Sequence, residues 1–329
     1  MMDLFEPSIF LFERAGSFPR LHPSAEFPHP RDEEIFSMST QVVSAGAAGT
    51  IALGDLTVNR LGYGAMRITG KGVWGTPADH DAAIATLRRA VELGVNFIDT
   101  ADSYGPYVSE ELIAEALAPY PAGLVIATKG GWERVGPGQW IHNASPKHLA
   151  EAVAGSLKRL RLERIDVYQL HIPDPAVSFD ASMETLARLR EQGRIRHIGL
   201  SNVTLEHVER ARKIVPIVSV QNRYSFADRE WDFLLDHCEK NGVAFIPWAP
   251  LGQNREVHDV LEKAAKRISA TQLQVALAWL LQRSRVMLPI PGTSSVAHVE
   301  ENIQAAGLRL PDAVFRELSA VTSPPVSFR

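Results

Sequence analysis

The stretch VNFIDTADSYGPYVSEELIAEALAPY, residues 95–120, decides the fold. It opens on a short apolar run that stops at Asp99. A polar turn carrying Tyr104 follows, and then a segment whose apolar residues recur at helical spacing. This is one strand–turn–helix unit, with an acid at the strand end and a phenol in the turn. The same order repeats on both sides. Upstream, LGYGAM (61–66) precedes the helical ADHDAAIATLRRAVELG (78–94), closed by Gly94. Downstream, LVIATK (124–129) precedes SPKHLAEAVAGSLKRLR (145–161), with Ser145 as its cap and Pro146 in its first turn. IDVYQLH (165–171) precedes a helix over 179–193, and IRHIGLSN (195–202) one over 204–215. IVSVQN (217–222) precedes a helix over 228–242, and VAFIPWAP (243–250) is followed by a longer loop and a helix over 269–283. VMLPIPG (286–292) precedes the last unit's helix, 295–307.

Eight such units over roughly 250 residues match the ordinary size of a (βα)8 TIM barrel, an α/β fold. The strands are short and nearly all apolar, as parallel strands covered on both faces are. Before the first unit, TIALG and LTVNR alternate around Gly54–Asp55, the signal of a β-hairpin. It has no helix partner, so the hairpin is expected to cap the bottom of the barrel.

Composition agrees with a globular domain: 329 residues, 45% hydrophobic and 22% charged. The formal net charge of -4 is too mild to point to nucleic acid. No apolar run is long enough to span a membrane, and the first residues do not read as a secretory signal. With one cysteine, Cys238, in a helical pattern, no internal disulfide forms, and a cytoplasmic location is expected. Residues 1–47 differ from the rest. They carry Pro7, Pro19, Pro23, Pro28 and Pro30, and seven acids against three arginines, which accounts for the whole net charge. The expectation is a disordered or loosely attached extension, with translation beginning naturally at Met38. The barrel domain is then 48–322, and 323–329 is a short tail.

GKGVWG (70–75) has the spacing of the dinucleotide fingerprint. That motif works only as a tight turn joining strand to helix. Here the strand ends near Met66 and the helix starts near Ala78, so the segment reads as a long rim loop.

In a closed parallel barrel the strand ends meet at one rim. That rim collects Asp99, Tyr104, Lys129 and His171. A lysine ammonium beside a tyrosine lowers its pKa, an aspartate holds the lysine charged, and a histidine orients a carbonyl oxygen. The set suits protonating an oxygen as a hydride reaches its carbon, and the hydride must come from a cofactor. Ser201, Asn202 and Gln221 can bond a carboxamide, and Trp248 offers a face for stacking. Backbone amides after IPGTSS can hold phosphate at the start of the last helix. Taken singly, each residue has an ordinary structural reading: an ion pair, a rim histidine, a core tryptophan, a helix cap. Their joint placement at strand ends carries the argument. No metal is called for.

At these residues the chain resembles the aldo-keto reductases over about residues 48–322, through NFIDTADSYG, VIATKGG, DVYQLH, HIGLSN, VQNRYS and PGTSSVAHVEEN. The resemblance implies NAD(P)H-dependent reduction of an aldehyde or ketone, with Asp99, Tyr104, Lys129 and His171 as the catalytic tetrad and Tyr104 as general acid. It implies Ser201, Asn202 and Gln221 on the nicotinamide amide, Trp248 stacked on its ring, and Leu251, Gly292, Thr293, His298, Glu301 and Asn302 along the rest of the cofactor. Where the family often has cations for the 2′-phosphate of NADPH, this chain has Gly292 and His298. NADP(H) is expected, with NAD(H) the alternative. VNRLGYGAMRITG and VALAWLLQRS look like the bacterial pyridoxal-reductase-type branch, which makes pyridoxal a candidate substrate.

The longest rim loop, GGWERVGPGQWIHNASP (130–146), brings Trp132, Arg134 and Trp140. With Trp74 and Tyr224 they form the expected aromatic wall of a small-molecule pocket. Arg134 or Arg223 is a candidate for an anionic substituent, although Arg134 reads more readily as solvated. Two other functions fit parts of the rim. One is a lyase using Lys129 as a Schiff-base amine, which needs a depressed lysine pKa that Asp99 opposes. The other is a nicotinamide-binding redox sensor with little turnover.

Overall fold

The computed structural model describes residues 43–250 and 255–321, with the side chains of 255–257 left out. The expectations for residues 1–42 (Met38 included), for Leu251 and for the tail lie outside the described residues. Residues 43–47 fall inside the expected loose extension, and part of this stretch packs on the barrel domain. Ala45 is fully buried, and its N–H donates to the Leu93 carbonyl at 2.8 Å.

In chain order the elements are β1 (Thr50–Leu53), β2 (Leu56–Asn59), β3 (Tyr63–Gly64), α1 (His80–Glu92), β4 (Phe97–Asp99), α2 (Val108–Leu117) and β5 (Val125–Gly130). Then come β6 (Trp132–Gly136), β7 (Gln139–His142), α3 (Pro146–Leu160), β8 (Ile165–Leu170), α4 (Phe179–Glu191), β9 (Ile195–Ser201) and α5 (Leu205–Ile214). The last are β10 (Ile217–Arg223), α6 (Asp232–Asn241), β11 (Ala244–Trp248), α7 (Arg255–Ile268), α8 (Gln272–Arg283), α9 (Val296–Gln304) and α10 (Asp312–Ser319).

Seven strands pair in parallel in the order β3, β4, β5, β8, β9, β10, β11. The eighth position is filled by VMLP, 286–289, whose backbone hydrogen-bonds on both sides. Phe245 N–H donates to Val286 O at 2.8 Å and Leu288 N–H to Phe245 O at 2.9 Å; on the other edge Gly62 N–H donates to Pro289 O at 2.9 Å. Pro289 and Pro291 cannot donate to a ladder, so a full strand does not form there. The sheet therefore curls into a (βα)8 barrel. Where its first and last segments meet, backbones touch. A side chain on Gly64 would lie 2.7 Å from the Ile290 carbonyl, and one on Gly292 2.5 Å from the Gly64 carbonyl. Arg60 fastens the same seam, donating to the carbonyls of Leu281 (2.6 Å), Ser284 (2.5 Å) and Met287 (3.3 Å).

Alternation along the strands sorts the core into layers. Phe97, Val125, Ala127, Val167, Ala244, Ile246 and Leu288 fill the interior, joined by Leu53 and Val58 of the β1–β2 hairpin. Between the strands and the helices lie the outward residues, such as Ile98, Ile126, Tyr168 and Phe245. The expected helix caps form: Ser145 accepts from His148 N–H ahead of Pro146, and Gly94 takes a φ of 84° after α1.

Two stretches read as loops are regular. Residues 132–142 form the β6–β7 hairpin, with an irregular register where Gly136 meets Gln139. The segment after β11 contains α7, which buries Leu261, Ala264 and Ala265. No helix among the described residues is long and apolar enough to cross a membrane.

Candidate active site

Asp99 ends β4, and inward alternation along β5, β8 and β10 points Lys129, Gln169 and Gln221 at it. Lys129 is fully buried. Its ammonium donates to Asp99 Oδ1 at 2.5 Å, to the Thr100 carbonyl at 2.8 Å and to the Tyr104 hydroxyl at 3.4 Å. The second carboxylate oxygen of Asp99 accepts from Gln169 Nε2 and Gln221 Nε2, both at 2.8 Å. Every acceptor of the buried carboxylate is thus engaged, as burying a charge requires.

Gln169 is a neighbour of Asp99 that sequence reasoning misses. It lies two residues before His171 in DVYQLH, so the strand period alone puts it on the same face. Gln221, expected on a carboxamide, donates its amide nitrogen to Asp99 and, at 3.2 Å, to Gln169 Oε1.

Tyr104 reaches the centre from the turn between β4 and α2. Its N–H donates to Ala101 O and its carbonyl accepts from Ser109 N–H, both at 3.2 Å. Its ring meets His171 edge to face at 5.8 Å. Ser103 Oγ and His171 Nδ1 lie 3.4 Å apart. All four expected tetrad residues therefore gather within one cluster at the rim.

Electrostatics differ in one respect from expectation. Burial raises the Tyr104 pKa more than Lys129 lowers it, and Asp99 adds to the rise. The phenol stays protonated. For Lys129, burial pulls the pKa down, but Asp99 and Tyr104 more than offset it and the ammonium persists. His171 is driven well below the usual histidine value by burial first and by Lys129 second, so it is neutral.

Asn202 takes a φ of 55° immediately after β9, a conformation that asparagine tolerates better than most residues. Its Nδ2 donates to the His171 carbonyl at 3.0 Å and to Ser201 Oγ at 3.1 Å, while its Oδ1 accepts from Trp248 Nε1 at 3.2 Å. Ser201, Asn202 and Trp248 thus form one connected strip beside His171.

Farther round the rim, Gly292, Thr293 and His298 lie at the start of α9. That helix has no side-chain cap from Ser295 and no acid in its first turn, so its first amides remain available. Tyr63 OH donates to the Thr293 carbonyl, and Thr293 Oγ1 lies 3.4 Å from His298 Nδ1. Asn302 is buried, with no partner for Oδ1 among the described residues, and Glu301 lines a cavity of about 300 Å³ with His258, Leu261, Thr271, Gln272 and Leu273. A buried acceptor lacking a donor, on a helix whose start is uncapped, fits a nucleotide cofactor.

The aromatic wall is built mainly by the β6–β7 hairpin. Trp132, Arg134, Trp140 and His142 alternate onto its half-buried face. Trp132 lies 6.4 Å from the His171 ring and 4.4 Å from His142. Trp74 joins them through Arg134. Tyr224 does not: it is fully buried among Phe245 and Trp279, and its hydroxyl donates to Asp232 at 2.5 Å. A core position claims this tyrosine because the period of two carried on from β10 puts it on the face of Val220, opposite Gln221, in the layer between strands and helices. Arg134 is not solvated as expected; it donates to three backbone carbonyls. Arg223 is paired with Asp228 at 2.7 Å.

Comparison with known proteins agrees with this geometry. The model of the aldo/keto reductase family matches residues 60–323. An uncharacterised oxidoreductase of Schizosaccharomyces pombe is 49% identical over 282 residues, 85% of this chain and 92% of that protein. Pyridoxine 4-dehydrogenase of Escherichia coli is 46% identical over 283 residues, 84% of this chain and 99% of that protein. The glycerol dehydrogenase structure from Gluconobacter oxydans superposes with a TM-score of 0.75 at 26% identity, covering 85% of this chain and 98% of that one.

Proposed function

Because the chain belongs to the aldo/keto reductase family, on its pyridoxal-reductase-like branch, we propose that it reduces an aldehyde to an alcohol with NADPH, with Tyr104 as the general acid. One observation carries this reading: the buried Lys129 ammonium bonds Asp99 and the Tyr104 hydroxyl at once. The bound nicotinamide would supply the hydride. The chain's own residues do the rest. The neutral His171 holds the carbonyl oxygen beside the phenol, and Tyr104 passes its proton to that oxygen as negative charge develops there. Lys129 stabilises the phenolate left behind, and Asp99 with its two glutamines keeps Lys129 charged and fixed.

For the cofactor, Ser201, Asn202 and Trp248 would hold the nicotinamide end, and Gly292, Thr293, His298 and the α9 amides the phosphates. Asn302 would meet the adenine end with its unpartnered oxygen. Gln221 joins the nicotinamide end through the face not engaged by Asp99. Trp74, Trp132 and Trp140 favour a flat aromatic substrate, and the likeness to pyridoxine 4-dehydrogenase makes pyridoxal the first to try. The β1–β2 hairpin serves as the barrel's floor, since Leu53 and Val58 pack on the interior and Asp55 bonds Arg196 and His197 at the start of β9. Lys129 is a poor Schiff-base amine here, because three acceptors hold it as the ammonium.

Oxidation of NADPH and NADH should be followed side by side with pyridoxal and with an aromatic aldehyde. Turnover that is faster with NADPH is expected. Faster turnover with NADH would show that Gly292 and His298 leave the 2′-phosphate without a counter-charge. No turnover with either cofactor from folded protein would overturn the reading.

A further inference from the structure

Arg134 joins three separate segments of the rim. It comes from the middle of the β6–β7 hairpin. One of its terminal nitrogens, Nη1, donates to the Val73 carbonyl at 3.0 Å and to the Ser103 carbonyl at 2.9 Å; the other, Nη2, reaches the Gly72 carbonyl at 3.4 Å. Its guanidinium carbon lies 3.7 Å from the centroid of Trp140 and 5.4 Å from that of Trp74. Among the described residues it makes no ion pair.

What it holds is strained and close to the chemistry. Val73 has a φ of 57°, a left-handed conformation that a β-branched residue avoids. Such a conformation persists only when surrounding contacts over-determine it. The Val73 carbonyl is bonded by Arg134 and also by Gly105 N–H at 3.3 Å, and Gly75 N–H donates back to Gly105 O at 2.5 Å. Ser103 is the residue before Tyr104. The 70–75 loop is thereby laced to the Tyr104 turn, and the hairpin is pinned over both.

We propose that Arg134 is a positioning and specificity-determining residue: its guanidinium latches the hairpin and the 70–75 loop onto the Tyr104 turn, fixing Tyr104 and the Trp74–Trp140 wall together. The inference rests on the reductase reading above. It assigns the guanidinium to backbone carbonyls and indole faces, and so takes it away from the role of receptor for an anionic substrate group. A lysine has no planar fork for three carbonyls and stacks less well on indole.

The test compares wild type with Arg134→Met and Arg134→Lys, using propanal, 4-nitrobenzaldehyde and 4-carboxybenzaldehyde. NADPH affinity is read by tryptophan fluorescence, and amide exchange is followed at Gly75 and Gly105. In both variants kcat should fall for all three aldehydes, on the order of 10²-fold, as a misplaced catalytic group does. KM should rise for the two aromatic aldehydes alike and stay put for propanal. NADPH affinity should be unchanged, and exchange at Gly75 and Gly105 should accelerate. Wild-type kinetics in Arg134→Met would overturn the proposal. So would a loss confined to the carboxylated aldehyde and restored by lysine, which would make Arg134 an anion receptor. Should wild type reduce no aldehyde, the reductase reading fails by itself, and unchanged exchange at the two glycines would then overturn the latch separately.

Discussion

Tyr104 sits between two opposing influences. Burial favours the neutral phenol, and the Lys129 ammonium 3.4 Å away favours the phenolate; burial prevails. The sign of the pH dependence follows. In the reducing direction the protonated phenol is the competent form, so the rate should be flat through neutrality and fall only above the ordinary tyrosine value of about 10. In the oxidising direction the phenolate is needed as base, so the rate should climb with pH over the same range. His171 does not disturb the lower limb until well below about pH 6.5, since its pKa is lowered. Rate profiles in both directions check this, and a reducing limb that titrates away near pH 7 would place the proton elsewhere. The gathering of Asp99, Tyr104, Lys129 and His171 is legible in the sequence because each ends or follows an apolar strand. Gln169 was equally available through the period of two. The sense of the Tyr104 shift was not, because sequence shows a neighbouring lysine but not how completely both groups are buried.

At the scale of elements, the strands and most helices followed from hydrophobic period and caps. The β6–β7 hairpin did not, because GGWERVGPGQWIH reads as glycine- and proline-punctuated loop. Its alternation of Trp132, Arg134, Trp140 and His142 is the signal that was there. The helix α7 was hidden by its charge: REVHDVLEKAAKRI has few apolar residues, yet Leu261, Ala264 and Ala265 fall three and four apart and are buried. Tyr224 belongs to the core for a reason the sequence does carry: it lies three residues past Gln221, so the period of two turns it to the opposite face. The start of α9 yields a test. Its missing side-chain cap is a stability defect, and the proposed phosphate site would use the amides it leaves free. Ser295→Asp should supply a cap and a favourable charge, stabilising the protein by about 0.5–1 kcal/mol in urea unfolding. The same carboxylate should weaken NADPH binding measured by fluorescence. Unchanged affinity would move the phosphates away from α9.

For the whole molecule, closure of the barrel turns a linear series of strand ends into one site. Asp99, Lys129, His171 and Trp248 are spread over 150 residues of chain and meet because the sheet curls. The seam depends on Gly64 and Gly292, where a Cβ would strike backbone, and on Arg60, which ties the end of β2 to carbonyls at the C-terminal end of α8. Size and the eightfold repeat made the barrel readable in advance; the broken eighth strand, with its two prolines, did not weaken that reading, since hydrogen bonds on both sides still complete the ring. Tyr104→Phe asks whether this ring assembles a proton donor for carbonyl reduction. Aldehyde-dependent NADPH oxidation and NADPH affinity should be measured on wild type and variant in the same preparation. We predict turnover in wild type, a loss of about 10²–10⁴-fold in the variant, and equal affinity for NADPH in both. A Tyr104→Phe enzyme that reduces the aldehyde at the wild-type rate would contradict the assignment.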